Sequence, residues 1–345
     1  MNALVQSLAT MSGLRDRDDL DAALVRLVVG NSDGIVLSAS LARIVGEGDD
    51  RRFLVAAALD EGQSQIRRDP VWTDWTTLPH VSDFPMRALA VERGRVVHGE
   101  AAPFTSVIPL LTPQGVWGVL EIISADALST PALDLMEGLA LTYCNLLGLL
   151  DYGERDALTE LLNRKSFDGA FFKATAVHGD DELPEGGERR HPHPDAGVWL
   201  AVLDIDHFKR VNDTYGHLIG DEVLLLLARL MRSSFRFHDQ LYRFGGEEFV
   251  VLMRSDSVEH AHAALERLRE RVLSYAFPQV GTITVSIGYS ILLPNDTPSG
   301  AFGRADKAVY HAKEHGRNQV CSYQELVASG DLVDQVAESM DVDLF

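Results

Sequence analysis

The stretch LYRFGGEEFVVLM, Leu241–Met253, writes an antiparallel hairpin into the chain. Two apolar runs of strand length flank two glycines and two adjacent glutamates. Gly-Gly between such runs marks a tight turn, so the two strands lie side by side in one sheet. Hairpin tips are usually polar, and one carboxylate there means little. Two carboxylates on a Gly-Gly turn, with hydrophobic strands on either side, gather negative charge at one spot and ask for something positive to hold.

The surrounding pattern is α/β. GVWLAVLDID (197–206) is a near-continuous apolar strand, and GDEVLLLLARLMRSSF (220–235) is a helix. After the hairpin come a helix in VEHAHAALERLRERVLSYAF, a strand in TITVSIGYSILL, a helix in GRADKAVYHAKEHGRN and a short strand in QVCSY. The first third reads differently. Residues 2–30 are helical, with Leu4, Leu8, Met11, Leu20, Leu24 and Val28 on one face. Strands follow at 34–40, 52–59, 104–112 and 116–124, the last two joined at a Pro-Gln-Gly turn. Residues 60–103 read as irregular. Segment 129–164 opens with Ser129, Thr130 and Pro131, the start signal of a helix. Its leucines recur near heptad spacing, which suits a stalk shared between two copies. A length of 345 residues accommodates two such domains.

Thirty-one basic against 51 acidic residues give a net charge of −20. That excludes a phosphate-backbone binder with a basic stripe. Two distant cysteines, Cys144 and Cys321, offer neither a disulfide framework nor zinc spacing, which fits a reducing compartment. The first residues lack a signal-peptide pattern, and no run is expected to span a membrane. The expectation is a cytoplasmic protein. The loop 178–196, with His178, His191 and His193 among acids, prolines and glycines, reads as a surface insertion, and the acidic tail 324–345 as a frayed helix.

Asp204 ends the apolar strand. A strand-end carboxylate beside Glu247 suits a hard cation such as magnesium, since two facing carboxylates without one repel. Asp206 reads as structural. Phe208 and Lys209 follow the strand and offer backbone N–H groups and a cation to phosphates. Asp221 can accept from the two N–H donors of a guanine edge, and Asn212 can donate and accept. An equally simple reading makes Asp221 the N-cap of the leucine-rich helix. Lys313 and Arg317, four apart, fall on one helical face and can reach a polyphosphate.

These motifs together resemble the GGDEF family, the diguanylate cyclases. RFGGEEF (243–249) looks like its signature, with Glu where Asp is commonest. DIDHFKRVNDTYGHLIGDEVL (204–224), DALTELLNR (156–164) and ADKAVYHAKEHGRN (305–318) match its other segments in order. The resemblance implies an α+β chain whose catalytic domain has a nucleotidyl-cyclase palm-like βαββαβ core. It implies condensation of two GTP into cyclic di-GMP with release of two pyrophosphates. Mg2+ (or Mn2+) would be held by Asp204, Glu247 and the Ile205 carbonyl. Glu247 would also activate the 3′-hydroxyl, with Glu248 assisting. Phe208 and Lys209 would cradle phosphates, Asn212, His217 and Asp221 would line the guanine and ribose pocket, and Lys313 and Arg317 would hold the outer phosphates. RFHD (236–239) resembles the family's inhibitory product site, through Arg236 and Asp239.

Because each domain holds one GTP, the reaction implies a homodimer through the 129–164 helix. The N-terminal part resembles a GAF domain, a sensory or dimerising module open to a small-molecule ligand. The expected layout is a GAF-like domain at 1–128, a connecting helix at 129–155, the cyclase domain at 156–323 and the tail. The rival reading is a non-catalytic cyclic di-GMP receptor using Arg236 and Asp239.

Overall fold

The computed structural model describes residues 2–32, 34–46, 48–70, 73, 75–113, 115–176 and 197–333. The 178–196 loop and most of the acidic tail lie outside the described residues. The chain divides into two compact units, Met1–Gly153 and Glu154–Phe345.

The first unit opens with α1 (Asn2–Gly13) and α2 (Arg17–Gly30). Residues 2–30 were expected to be helical, and they form a pair of helices. Asp16, in extended backbone, accepts from the N–H groups of Asp18 and Asp19 and starts the second helix. The strands β1 (Val36–Val45), β2 (Arg52–Asp60), β3 (Val97–His98), β4 (Phe104–Thr112) and β5 (Gly115–Ser124) form one antiparallel sheet in the order β2-β1-β5-β4-β3. The stretch read as irregular contains α3 (Pro85–Arg93), closed by Gly94 in the left-handed region. Proline at its start and glycine at its end were the legible signals.

The helix α4 (Thr130–Glu154) occupies the stretch expected for the connecting helix, 129–155, and stops before the DALTELLNR segment. Met136, Leu139, Ala140, Tyr143 and Leu147 bury its inner stripe against α1, α2 and the sheet. By length and composition alone, α4 is apolar enough to cross a membrane. Asp21 of α2, fully buried, pairs with Arg43 of β1 and accepts from the Tyr143 hydroxyl at 2.6 Å. That network joins α4 to α2 and the sheet.

The second unit runs β6 (Leu162–Asn163), α5 (Arg164–Ala176), β7 (Gly197–Ile205), α6 (Phe208–Tyr215), α7 (His217–Ser234), β8 (Gln240–Gly245), β9 (Glu248–Ser255), α8 (Val258–Ser274), β10 (Val285–Ile291), α9 (Pro298–Glu314), β11 (Val320–Ser322) and α10 (Tyr323–Ser329). The sheet order is β11-β10-β7-β9-β8-β6. β7 is antiparallel to both neighbours, while the edge strands β6 and β11 pair in parallel. β7 is buried at every position because helices cover both its faces. Trp199, Ala201, Leu203 and Ile205 pack toward α7 and α8. The alternate residues, ending at Asp204, face the side where Ala301, Ala305, Ala308 and Ala312 of α9 are buried. The cation on α9 and the acid on β7 are thereby brought to one end of one layer.

Candidate active site

The turn between β8 and β9 is a two-residue loop. Gly245 pairs with Glu248, and the two glycines have φ +144° and +53°. Gly246 occupies left-handed backbone that side-chain-bearing residues resist. Arg243 grips the turn from within: its Nε and Nη2 donate to the Gly246 carbonyl at 3.1 and 2.8 Å, and Nη1 donates to Asp156 Oδ1 at 3.0 Å. The same Asp156 oxygen accepts from the Thr159 N–H and hydroxyl, and these donors hold its carboxyl below the usual range despite burial. Phe244 stacks on Phe302 at 5.2 Å and meets Phe167 edge-on. None of these positioning residues was singled out from the sequence. DALTELLNR contains Asp156, but what Asp156 touches is a matter of tertiary contact.

Asp204 and Glu248 are register partners on adjacent strands, so both carboxylates leave the same face. Lys313 Nζ lies 2.7 Å from Asp204 Oδ2. The other oxygen, Oδ1, is buried and has no hydrogen-bond partner among the described residues. Burial pushes the Asp204 carboxyl up, Lys313 pulls it down, and Asp206 and Asp306 push it up again. Glu247 and Glu248 are both raised, first by burial and then by the charge of Asp204. Three mutually repelling acids, one with an orphaned oxygen, leave negative charge that a single lysine does not satisfy. Hard oxygen donors of this kind fit a divalent cation. Among the described residues no three His, Cys, Asp or Glu side chains close around one point. A cation here therefore draws its remaining ligands from carbonyl, phosphate or water oxygens. Asp306 of α9 is an acid of this neighbourhood that the sequence reading missed.

Asp206 serves the scaffold. It accepts from Thr284 Oγ1 at 2.6 Å, Ser286 Oγ at 2.7 Å and the Asn318 N–H at 3.0 Å. The last bond pins the turn that carries Arg317. α9 ends at Glu314, and Arg317 has φ +63° with its N–H on the Ala312 carbonyl. Lys313 and Arg317 thus do not share a helical face as expected. Lys313 points to Asp204, while Arg317 is exposed on the following turn.

α6 starts at Phe208 after His207 in left-handed backbone, with no side-chain cap, so its first N–H groups are left for another acceptor. The Phe208 ring is buried in the core and Lys209 is exposed. Gly216, with φ +83°, turns the chain into α7, whose first residue is His217. Asp221 is the fifth residue of that helix and exposed, so the N-cap reading fails.

The RFHD segment lies at the other end of α7. Asp239 Oδ2 accepts from the Arg236 N–H at 2.8 Å, and His238 Nε2 lies 3.8 Å from Asp239 Oδ1. The Asp239 side chain is only 5% exposed. It closes its own turn instead of facing solvent, and Arg236 is the exposed member. Burial pushes the Asp239 carboxyl up to about 6, against the pull of Arg236 and Arg267. The folded chain therefore holds this proton to higher pH than the unfolded chain, whose aspartates titrate near 4. The stabilisation is complete below about pH 4 and lost as pH rises through about 6. Asp239→Asn keeps the acceptor and removes the charge. It should be more stable than the parent by about 2 kcal/mol at pH 7.5 and equal at pH 4, measured by urea unfolding at both pH values.

Residues 154–319 match the family described as "Diguanylate cyclase, GGDEF domain". The chain is 46% identical over 169 residues to diguanylate cyclase DgcP of Pseudomonas aeruginosa, covering 48% of this chain and 23% of that one. It is 38% identical over 167 residues to diguanylate cyclase DgcZ of Escherichia coli, covering 48% and 51%. Among solved structures, the coiled coil and GGDEF domain of DgcB from Caulobacter crescentus, in complex with c-di-GMP, aligns with TM-score 0.46 and 30% identity over 56% of this chain and 97% of that one. The match thus spans only 23% and 51% of the length of these two curated relatives. The segment that builds the paired-glutamate turn, the Asp204 strand and the Lys313 helix is a GGDEF domain, the diguanylate cyclase domain.

Proposed function

We propose that this chain condenses two GTP into cyclic di-GMP and releases two pyrophosphates. One observation carries the reading: the orphaned Asp204 oxygen lies on the same sheet face as Glu248, at the root of a turn whose other acid is Glu247. Asp204, Glu247 and the Ile205 carbonyl would hold a divalent cation, magnesium or manganese, which when bound stabilises charge on the phosphates and acidifies the attacking hydroxyl. Glu247 accepts the proton of the 3′-hydroxyl, and Glu248 keeps the local field negative. The free N–H groups at Phe208 and Lys209 bind phosphate oxygens. Asn212, His217 and Asp221 receive the guanosine, Asp221 accepting from guanine N–H donors that adenine lacks. Lys313 and Arg317 neutralise the outer phosphates.

One GTP per domain requires two domains face to face, hence a homodimer. Leu141, Leu149 and Tyr152 are exposed on α4 at 63%, 68% and 88%, which supports pairing through that helix. The first unit supports a GAF-like sensory role by its antiparallel sheet between helices. A cleft of about 540 Å³ beside α4, lined by Val96, Ile108, Leu141 and Cys144 with Arg95 and Glu137, suits a small molecule. Arg236, with Arg267 beside the turn, would take the guanine and phosphates of the product as feedback, Asp239 shaping the turn. A cytoplasmic location accords with GTP as substrate. The test is incubation of the purified chain with GTP and Mg2+ or Mn2+, followed by chromatography. A cyclic dinucleotide is expected; its absence with either ion, while product still binds, would favour the receptor reading.

A further inference from the structure

Gly220 is the fourth residue of α7, in ordinary helical backbone, so no left-handed φ requires glycine there. Glycine inside a helix costs about 1 kcal/mol relative to alanine. Its neighbourhood supplies the reason. A Cβ placed on Gly220 would stand 2.0 Å from Asn212 Oδ1, 3.1 Å from Asn212 Cγ and 3.3 Å from the Phe208 ring. The Asn212 carboxamide therefore lies in the space that any side chain at 220 would fill. The Phe208 ring is packed in the core and need give only a few tenths of an ångström, so the carboxamide makes most of the room. Asp221, the next residue, stands exposed on the same turn of α7.

We propose that Gly220 is a specificity-determining position, which seats the Asn212 carboxamide against α7 so that Asn212 and Asp221 read one guanine together. The inference rests on the guanine-reading role given to those two residues above. Gly220 acts through Asn212 and is a positioning residue.

Gly220→Ala tests this in the full chain. Oδ1 is the far end of a rotatable side chain, so the new methyl turns the carboxamide away without unfolding α7. The helix gains propensity, and the midpoint of thermal unfolding should stay level or rise. Binding is read by calorimetry with the non-hydrolysable α,β-methylene analogues of GTP and ATP. For Gly220→Ala, affinity for the guanine analogue should fall about tenfold, the worth of one well-made hydrogen bond. Affinity for the adenine analogue should not change. Asn212→Ala should show the same loss, and adding Gly220→Ala to it should cost nothing further, because the two act as a unit. Parent-like guanine preference in Gly220→Ala would overturn the inference, as would losses that add in the double variant. A parent chain that binds both analogues alike would instead overturn the guanine-reading role itself, and the inference with it. Unchanged preference in Asn212→Ala, with the parent selective, would take Asn212 out of guanine reading and sink the seat with it, leaving the role of Asp221 standing.

Discussion

Replacing Glu247 by alanine is expected to lower cyclic dinucleotide formation by about a thousandfold or more, the range of a lost general base combined with a lost cation ligand. The unfolding midpoint should move by no more than about 2 °C, as for a surface substitution. The reason lies in what Glu247 does not do. Arg243 and the two glycines hold the turn through the Gly246 carbonyl, and Glu247 takes no part in that clamp. Its carboxyl is half-buried and raised by burial and by Asp204, so at neutral pH its charge costs stability. A costly acid on a turn that folds without it is retained for chemistry. Turnover by quantified product, and unfolding by calorimetry, check both halves. Near-normal turnover in Glu247→Ala would remove Glu247 from the cation and from the base role together.

Gly288→Ala is the second large effect, and it acts on the fold. Gly288 lies on β10 under α9, where a Cβ would meet the Ala305 carbonyl oxygen and the Val309 nitrogen at 2.3 Å, and the Ala308 carbonyl carbon at 2.7 Å. All three are backbone atoms, so relief requires moving the helix. Ala305, Ala308 and Ala312 are buried against the sheet, and lifting α9 opens that layer. The expected cost is about 3 kcal/mol, the upper part of the range for overpacking. That lowers the midpoint by about 6–12 °C for a unit of this size. Because α9 carries Lys313 to within 2.7 Å of Asp204, turnover should fall as well. Differential scanning calorimetry of the full chain, with the product assay, tests both. An unfolding midpoint at the parent value would show that α9 is not seated on Gly288.

Local spacing determined much of this protein by itself. The Gly-Gly turn and its acids, the buried strand ending at Asp204, the β4–β5 hairpin and the helices α7, α8 and α9 all rest on short-range periodicity and on turn residues whose backbone preferences are intrinsic. α3 is equally legible from Pro85 and Gly94, although the prolines around it make the whole stretch read as irregular. Only the tertiary structure decided the rest. It showed that Asp204 pairs with Lys313, that one of its oxygens is orphaned, and that Asp206 pins the Arg317 turn across β10. It moved Asp221 off the N-cap, separated Arg317 from the face of Lys313, and turned Asp239 inward. It also gave Gly220 and Gly288 their reasons, the carboxamide and the helix that fill the space each leaves. Sequence spacing fixes what neighbours along one element share. Which elements meet, and which buried polar atom is left over when they do, depends on packing between residues about a hundred positions apart, and no local pattern encodes that.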